Sequence, residues 1–173
     1  MAGREKYALV TGCGKGGIGE ALVIEYARRG LKAIATVLPG ESSQHLIDAD
    51  ITFFTLDVTV ESSILDLKKN LQLLTNGQLD ILVNNASQHL TLGIIAGYTM
   101  TAVDTDVASV QRMFEVNVFG PMRMVHHLHD MLINASGIIV NIGSIGGVVP
   151  YAYGGTKPNL PLAGWPAMEC LNL

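Results

Sequence analysis

Five glycines are concentrated in one short segment near the start of the chain, Thr11-Gly-Cys-Gly-Lys-Gly-Gly-Ile-Gly19. An apolar run precedes this glycine loop and an amphipathic stretch follows it, which predicts a strand-to-helix turn. Glycines there let backbone N–H groups approach a pyrophosphate, and the helix N-terminus adds partial positive charge. Packing of helix against strand explains one glycine but hardly five. The residues expected to bind the pyrophosphate-bearing ligand are Gly12, Lys15, Gly17, Ile18 and Gly19.

The charges near the glycine loop bear on which dinucleotide it takes. In dinucleotide-binding folds, an acid that ends the second strand binds the 2′-hydroxyl of NAD and repels the 2′-phosphate of NADP. This chain has Thr36-Val-Leu-Pro39 at that place, with no acid. Lys15 lies inside the glycine loop, where its cation could meet a 2′-phosphate. Both features favour NADP(H) as the cofactor. An ordinary solvated loop lysine is the alternative for Lys15.

Such a loop must be held by a strand before it, a helix after it and neighbouring strands. The chain alternates short β-branched apolar runs with amphipathic stretches, which is typical of βαβ units and a parallel sheet. The predicted strands are Tyr7–Thr11, Lys32–Val37, Ile51–Leu56, Leu79–Asn84 and Gly137–Ile142, and the predicted helices are Ile18–Arg29, Glu61–Leu74 and Val107–Ile133. We therefore expect an α/β fold, a Rossmann-type doubly wound parallel sheet, over residues 1–149.

The composition excludes other classes of protein. The chain has 173 residues, enough for one domain, and its 49% hydrophobic and 15% charged residues exclude a disordered polar chain. The mean hydropathy is +0.35, yet no apolar run reaches the ~18 residues of a membrane span. Buried parallel strands explain that hydropathy, and no transmembrane segment is expected. The net charge of -4 without a basic cluster gives no reason to expect a nucleic-acid partner.

The start of the chain and its two cysteines indicate in which cellular compartment the protein is expected. The charged start, Met1–Lys6, runs straight into a strand and is not a signal peptide. Cys13 and Cys170 are far apart and make neither a disulfide framework nor a metal site. We therefore expect a reducing, cytoplasmic location. The histidines of residues 126–129 lack converging cysteines or carboxylates, which predicts a solvated helix face and no metal site.

Four further motifs follow the glycine loop in order. They are Asp57-Val58 after the third strand, Asn84-Asn-Ala86 after the fourth, Glu115-Val-Asn-Val-Phe-Gly120 in the long helix and Ile142-Gly-Ser144 after the fifth strand. Together, from about Lys6 to Val149, they resemble the short-chain dehydrogenase/reductase family. The glycine loop is one residue longer than the family's common form. In this it is similar to fungal NADPH-dependent 1-acyldihydroxyacetone-phosphate reductases.

The resemblance implies the strand order 3-2-1-4-5 and a role for each motif. Asp57 would contact the adenine. Asn84 would border the cofactor, in a motif that stabilises the central sheet. Asn117 would support a proton relay, and Ser144 would orient the substrate through a hydrogen bond to its carbonyl.

The resemblance also implies a tyrosine acid/base with a lysine four residues later on one helix face, and Tyr153 and Lys157 have that spacing. Lys157 would lower the pKa of Tyr153 and hold the nicotinamide ribose, and Tyr153 would give its proton to the developing alkoxide. Three features disfavour the pair. Ser144 lies closer to Tyr153 than the family's spacing has it, the intervening Gly154-Gly155 weakens a helix, and Pro158 disfavours a helical Lys157.

The last part of the chain departs from the family most. Residues 150–173 contain Pro150, Pro158, Pro161 and Pro166, which predicts an irregular tail in place of the family's catalytic helix, last strands and substrate region. The sheet would then end at the fifth strand with an open edge, through which chains could self-associate. With an apolar insert at residues 87–97, the tail suggests a retained intron or a frame shift in the gene.

By resemblance, the chain is an NADP(H)-dependent oxidoreductase that reduces a small-molecule carbonyl to an alcohol. The candidate substrate is 1-acyldihydroxyacetone phosphate, on the route to phosphatidate, and relatives at the endoplasmic-reticulum or lipid-droplet surface give an alternative to the cytoplasmic location. The disrupted Tyr153–Lys157 region leaves a second hypothesis, a nucleotide-binding remnant without catalysis. A third is an interaction module that uses the open sheet edge.

Overall fold

The computed structural model describes residues 4–87, 106–143 and 169–172, the last of these as backbone. In chain order, the elements are β1 (Tyr7–Val10), α1 (Ile18–Arg28), β2 (Lys32–Val37), α2 (Gln44–Asp48), β3 (Thr52–Thr55), α3 (Glu61–Thr75), β4 (Ile81–Asn84), α4 (Val107–Phe114), a π-helical turn (Glu115–Phe119), α5 (Gly120–Ala135), β5 (Ile138–Asn141) and β6 (Glu169–Asn172).

These strands form one sheet in the order β3-β2-β1-β4-β5-β6. The pairs β1–β2, β2–β3, β1–β4 and β4–β5 are all parallel. The predicted α/β fold and the predicted order 3-2-1-4-5 are thus confirmed. The chain winds outward from β1 to β3 and then returns to β4 on the other side of β1. Doubly wound sheets bind ligands at the carboxyl ends of the strands where the winding reverses, which here are β1 and β4.

The sheet is covered on both faces, which explains its nearly continuous apolar strands. Successive residues of a strand point to opposite faces. Leu9 of β1 and Leu82 of β4 belong to the core layer that contains the buried residues of α3 and α5. Their neighbours Val10 and Val83 belong to the other layer, together with Val23 of α1.

The helix ends follow the local sequence. Gly30 has a positive φ of 85° directly after α1, as expected of a glycine that stops a helix. Asn76 ends α3 in the left-handed conformation with a φ of 52°. At the start of α4, the carboxylate of Asp106 accepts the backbone N–H groups of Ala108 and Ser109. No helix in the described ranges is both long and apolar enough to cross a membrane.

The predicted single helix over Val107–Ile133 is corrected in one respect, because the π-helical turn interrupts it. Gly120 follows this turn where the backbone passes close to Val58. A Cβ on Gly120 would lie 2.8 Å from Cγ2 of Val58. An apolar period of three to four residues continues through such a turn, so the pattern alone does not reveal it.

The expectation of an open edge at β5 is also corrected, whereas the irregular tail predicted for residues 150–173 lies mostly outside the described residues and stays a prediction. Residues Glu169–Asn172 form β6 and pair antiparallel with β5, with Asn141 opposite Glu169 and Ile138 opposite Asn172. Pro166 is the last proline in the chain, so every residue of β6 has an N–H group for a sheet. Without β6, the outer edge of β5 would present unpaired backbone groups, and β6 satisfies them.

Candidate nucleotide-binding site

The loop after β1 and the loop after β4 are joined where the winding reverses. Oγ1 of Thr11 accepts the backbone N–H groups of Asn85 and Ala86, at 3.0 and 2.9 Å. The same hydroxyl donates to the carbonyl oxygen of Val83 at 3.2 Å. The side-chain amide of Asn85 donates to the carbonyl oxygens of Thr11 and Gly12, at 2.8 and 2.9 Å. These bonds hold the start of the glycine loop over the carboxyl ends of β1 and β4.

Close packing requires glycine at both ends of the loop. Gly12 has a φ of +70°, and a Cβ there would lie 2.7 Å from Cα of Ala86. A Cβ on Gly19 would lie 2.5 Å from the carbonyl oxygen of Gly12 and 2.6 Å from Nδ2 of Asn85. The two glycines therefore let the start of α1 approach β1 and β4 closely.

The N-terminus of α1 presents backbone N–H groups without a side-chain cap. Its N-cap is Gly17, and no side chain caps the first turn among the described residues. The carboxylate of Glu20 instead accepts the N–H of Gly16, just before the helix. The first turn of α1 therefore combines uncapped backbone N–H groups with the positive end of the helix dipole. This combination suits the binding of a phosphate group. The side chain of Ile18 is 61% exposed beside them.

Two opposite charges flank the glycine loop. Lys15 is exposed on the loop itself. Glu41 lies beyond β2 in the sequence, but its carboxylate returns to the end of that strand, where Oε2 accepts the N–H of Leu38 at 3.1 Å. Its other oxygen, Oε1, lies against Gly14, where it would collide with a Cβ. The end of β2 therefore has no acid in its own sequence, but the carboxylate of Glu41 lies beside it in the folded chain, and the sequence pattern alone does not reveal this.

The loop backbone is also tied to β2 and α2. The N–H of Cys13 donates to the carbonyl oxygen of Thr36 at 2.7 Å, and Nε2 of His45 donates to the carbonyl oxygen of Cys13 at 2.8 Å. Burial is the largest cause that raises the pKa of the Cys13 thiol to about 12. A separate hydrogen bond between the backbone of Thr36 and the thiol opposes this rise, and the carboxylates of Glu20 and Glu41 add to it. The thiol stays neutral at pH 7 and is a packing group rather than a nucleophile.

Asp57, expected at the adenine, follows β3 and is half-buried. One oxygen, Oδ1, accepts the N–H and the hydroxyl of Thr59, at 2.9 and 2.6 Å. The backbone N–H of Asp57 donates to Oγ of Ser63 at 3.0 Å. These contacts fix the orientation of the carboxylate, and they use only one of its two oxygens.

Asn84 and Asn141 end the neighbouring strands β4 and β5 and form a buried pair. Nδ2 of Asn84 donates to Oδ1 of Asn141 at 2.9 Å. Oδ1 of Asn84 is buried and has no partner among the described residues. The sequence predicts Asn84 beside the cofactor, and it does not single out Asn141. Asn141 could have been found from its position, because it ends β5 as Asn84 ends the neighbouring strand β4.

Asn117, expected in a proton relay, lies in the π-helical turn and is half-buried. Arg123 spans this turn, because its guanidinium donates to the carboxylate of Glu115 at 2.6 Å. The same guanidinium lies 6.0 Å from the ring centroid of Phe119. π-helical turns inside α-helices are frequent at functional sites.

The other expected catalytic residues, Ser144, Tyr153 and Lys157, lie outside the described residues. The structure therefore brings the glycine loop, Asn84 and the turn after β2 to one end of the sheet, and it does not test the catalytic pair.

The fold and the site together define a dinucleotide-binding α/β protein, with a glycine loop at the reversal point of a doubly wound sheet. A family model described as short chain dehydrogenase matches residues 6–157. The chain belongs to the short-chain dehydrogenase family.

Three relatives illustrate the match. The chain is 68% identical over 154 residues to short-chain dehydrogenase virD of Hypocrea virens, covering 89% of this chain and 51% of that protein. It is 36% identical over 149 residues to the NADPH-dependent 1-acyldihydroxyacetone phosphate reductase of Schizosaccharomyces pombe, covering 86% and 48%. The solved closed form of serine dehydrogenase complexed with NADP+ is similar with a TM-score of 0.73 and 30% identity, covering 87% and 58%. The chain spans about half the length of the curated relatives it matches.

Proposed function

We propose that the chain binds NADP(H) at the glycine loop, with residues 1–149 as the cofactor-binding part of a carbonyl reductase. The proposal is supported mainly by the first turn of α1, which has no side-chain cap. This turn follows directly on a glycine loop that Thr11 and Asn85 hold in place. A Cβ on Gly12 or Gly19 would disrupt that arrangement, so the residues present fit a dinucleotide pyrophosphate.

Each residue of the site has a proposed part. Backbone N–H groups of Ile18 and Gly19, in the first turn of α1, bind the pyrophosphate, and the glycines before them let it approach. Lys15 attracts the 2′-phosphate of NADP(H), and Asp57 binds the adenine. Asn84 stabilises the carboxyl ends of β4 and β5, next to the proposed cofactor, through its bond to Asn141. When bound, the reduced nicotinamide supplies a hydride for the substrate carbonyl.

The proton side of the reaction rests on family resemblance alone. We assign Ser144 to orient the substrate carbonyl, Tyr153 to deliver the proton to the alkoxide oxygen and Lys157 to hold the ribose and assist Tyr153. Asn117 would support the proton relay from the π-helical turn.

The relatives support the substrate class and the cofactor. The reductase of Schizosaccharomyces pombe is named for NADPH and for 1-acyldihydroxyacetone phosphate, and the serine dehydrogenase was solved with NADP+. We therefore propose a small-molecule ketone as the substrate, with 1-acyldihydroxyacetone phosphate as the first compound to test.

A second candidate function is nucleotide binding without catalysis. It is favoured by the sequence around Tyr153 and Lys157, in which Gly154, Gly155 and Pro158 oppose a helix. In this case the chain would bind NADPH and leave the carbonyl substrate unchanged.

One experiment separates the two functions. The purified chain is given NADPH with 1-acyldihydroxyacetone phosphate or with a simple ketone, and both NADPH binding and NADPH oxidation are measured. Turnover that is lost in Tyr153→Phe, while NADPH still binds, would establish the reductase. Binding without turnover would favour the second candidate, and the absence of binding would contradict both.

A further inference from the structure

The carboxylate of Glu41 occupies a defined place beside the glycine loop. Its own backbone N–H donates to the carbonyl oxygen of Leu38 at 3.0 Å, and the N–H of Leu38 donates back to Oε2 at 3.1 Å. This reciprocal pair holds the side chain against the end of β2. The second oxygen, Oε1, is left against Gly14, one residue before Lys15.

The end of β2 is where dinucleotide-binding folds distinguish the two nicotinamide cofactors. A carboxylate there accepts the hydrogen of a ribose 2′-hydroxyl, and it repels a 2′-phosphate. In other proteins this acid is part of the strand end. Here the end of β2 has no charged side chain. The turn after β2 instead places the carboxylate of Glu41 beside the glycine loop.

We propose that Glu41 is the residue that limits the preference of this chain for NADP(H) over NAD(H). Lys15 attracts a 2′-phosphate and Glu41 repels it, so the discrimination is the difference between two opposite charges, one on the glycine loop and one on the turn after β2. This inference rests on the proposed function, since it concerns the adenosine end of the same dinucleotide. It adds that removal of the Glu41 charge strengthens NADP(H) binding selectively.

The expected effect is moderate because both side chains are exposed. Interactions between exposed charges are screened by solvent and salt. In Glu41→Gln, the ratio of NADPH affinity to NADH affinity should rise by about fivefold at low salt. The change should come from NADPH, with NADH binding unchanged or weaker. At high salt the difference between variant and wild type should shrink.

The test compares the dissociation constants of NADPH and NADH for the full chain, measured by calorimetry. Glu41→Gln keeps an oxygen that can accept the N–H of Leu38, so only the charge is removed. Lys15→Gln should lower the affinity ratio. Glu5→Gln is the matched control, because it removes the same charge at the amino end of the sheet, where Glu5 pairs with Lys32. It should leave the ratio as it is in the wild type.

The affinity ratios of the variants distinguish the role of Glu41 from a general effect of charge. An unchanged ratio in Glu41→Gln, with both dinucleotides bound, would overturn the role of Glu41 and leave the proposed function standing. An equal rise in Glu5→Gln would show a general charge effect and would also overturn it. If the wild type binds neither dinucleotide, the proposed function and this inference both fail. Glu41→Ser provides a second neutral variant if Glu41→Gln fails to fold, and the same rise is expected.

Discussion

At the scale of single residues, the glycines of the loop serve different physical purposes. Gly12 and Gly19 are needed because a backbone or a side chain lies where their Cβ atoms would be. Gly16 has a positive φ of 76°, but no atom lies within 4 Å of its Cβ position. Gly19 is therefore required by the lack of space for a side chain, Gly12 by both the lack of space and its positive φ, and Gly16 by its backbone conformation alone.

This difference predicts unequal effects of alanine. Gly19→Ala should lower the free energy of unfolding by about 3 kcal/mol, because its Cβ meets a carbonyl oxygen that the Thr11 and Asn85 contacts hold in place. Gly16→Ala should lower it by only about 1 kcal/mol, the cost of a left-handed alanine. Urea denaturation of both variants measures the difference. Equal destabilisation, or a larger effect at Gly16, would contradict the packing argument.

A second residue with a specific structural role is Asp80, at the opposite end of the sheet. Its buried carboxylate accepts two bonds from Arg4, at 3.0 and 2.6 Å, and the backbone N–H of Tyr7 at 2.8 Å. Asp80→Ala removes the acceptor of the Tyr7 N–H and the partner of Arg4, whose side chain is 40% exposed and can reach water, so we expect a loss of about 2 kcal/mol in the free energy of unfolding. Asp66→Ala is the control, because its pair with Lys69 is exposed and should be worth less than about 0.5 kcal/mol. Chemical denaturation that gave similar losses for both would refute this account.

At the scale of elements, the parallel strands were predictable because they are buried on both faces. Lys32–Val37 is found with the predicted bounds, and β1 and β5 differ from the prediction only at their ends. The five-residue helix α2 escaped prediction because it is too short to show an amphipathic period. Strand β6 escaped because it follows a proline-rich stretch and depends on an edge that only the folded sheet provides.

The candidate site likewise contains residues whose positions could be predicted from the sequence and one whose position could not. Gly12, Gly19 and Asn84 could be predicted, since each lies at the end of an element with a recognisable sequence. The position of Glu41 could not, because it depends on how the turn after β2 folds back on Leu38. Local sequence specifies which groups are near a strand end, whereas turn geometry decides which charged side chain folds back to that end.

The contact between α3 and α5 leads to a pH-dependent prediction. Lys68 of α3 donates to both oxygens of Asp130 on α5, at 3.0 and 2.9 Å. Burial opposes ionisation of Asp130, but the hydrogen bond and the charge of Lys68 outweigh it, so the pKa of Asp130 lies below its usual value. A lowered pKa in the folded state stabilises the protein above the unfolded pKa of about 3.9, and that stabilisation is lost as the pH falls through the folded pKa.

We therefore expect Asp130→Asn to lower the free energy of unfolding at neutral pH by up to about 1 kcal/mol, since the carboxylate is 46% exposed. The difference between variant and wild type should decrease below a pH of about 4. Denaturation curves at a series of pH values measure it. Lys68→Met should remove most of the pH dependence. A difference that persisted unchanged into acid would show that Asp130 acts through packing and not through its charge.

At the scale of the whole molecule, the sheet has two edges of different kinds. β3 forms one edge, and β6 covers the edge of β5 at the other. β6 is antiparallel to β5, and an antiparallel pair does not require a crossover helix. The β5 edge is therefore protected by a short segment near the end of this chain, and any association through that side must involve β6.

Loss of β6 should consequently expose β5 and promote association. The double variant Cys170→Pro with Leu171→Pro removes two neighbouring N–H groups, at least one of which faces β5, because the N–H groups of a strand alternate in direction. We expect a lower free energy of unfolding and a concentration-dependent increase in mass, measured by denaturation and by sedimentation. The control changes the same two residues to alanine, which keeps both N–H groups and should retain the wild-type mass. If the proline variant matches the alanine variant in mass and stability, β6 does not protect the β5 edge.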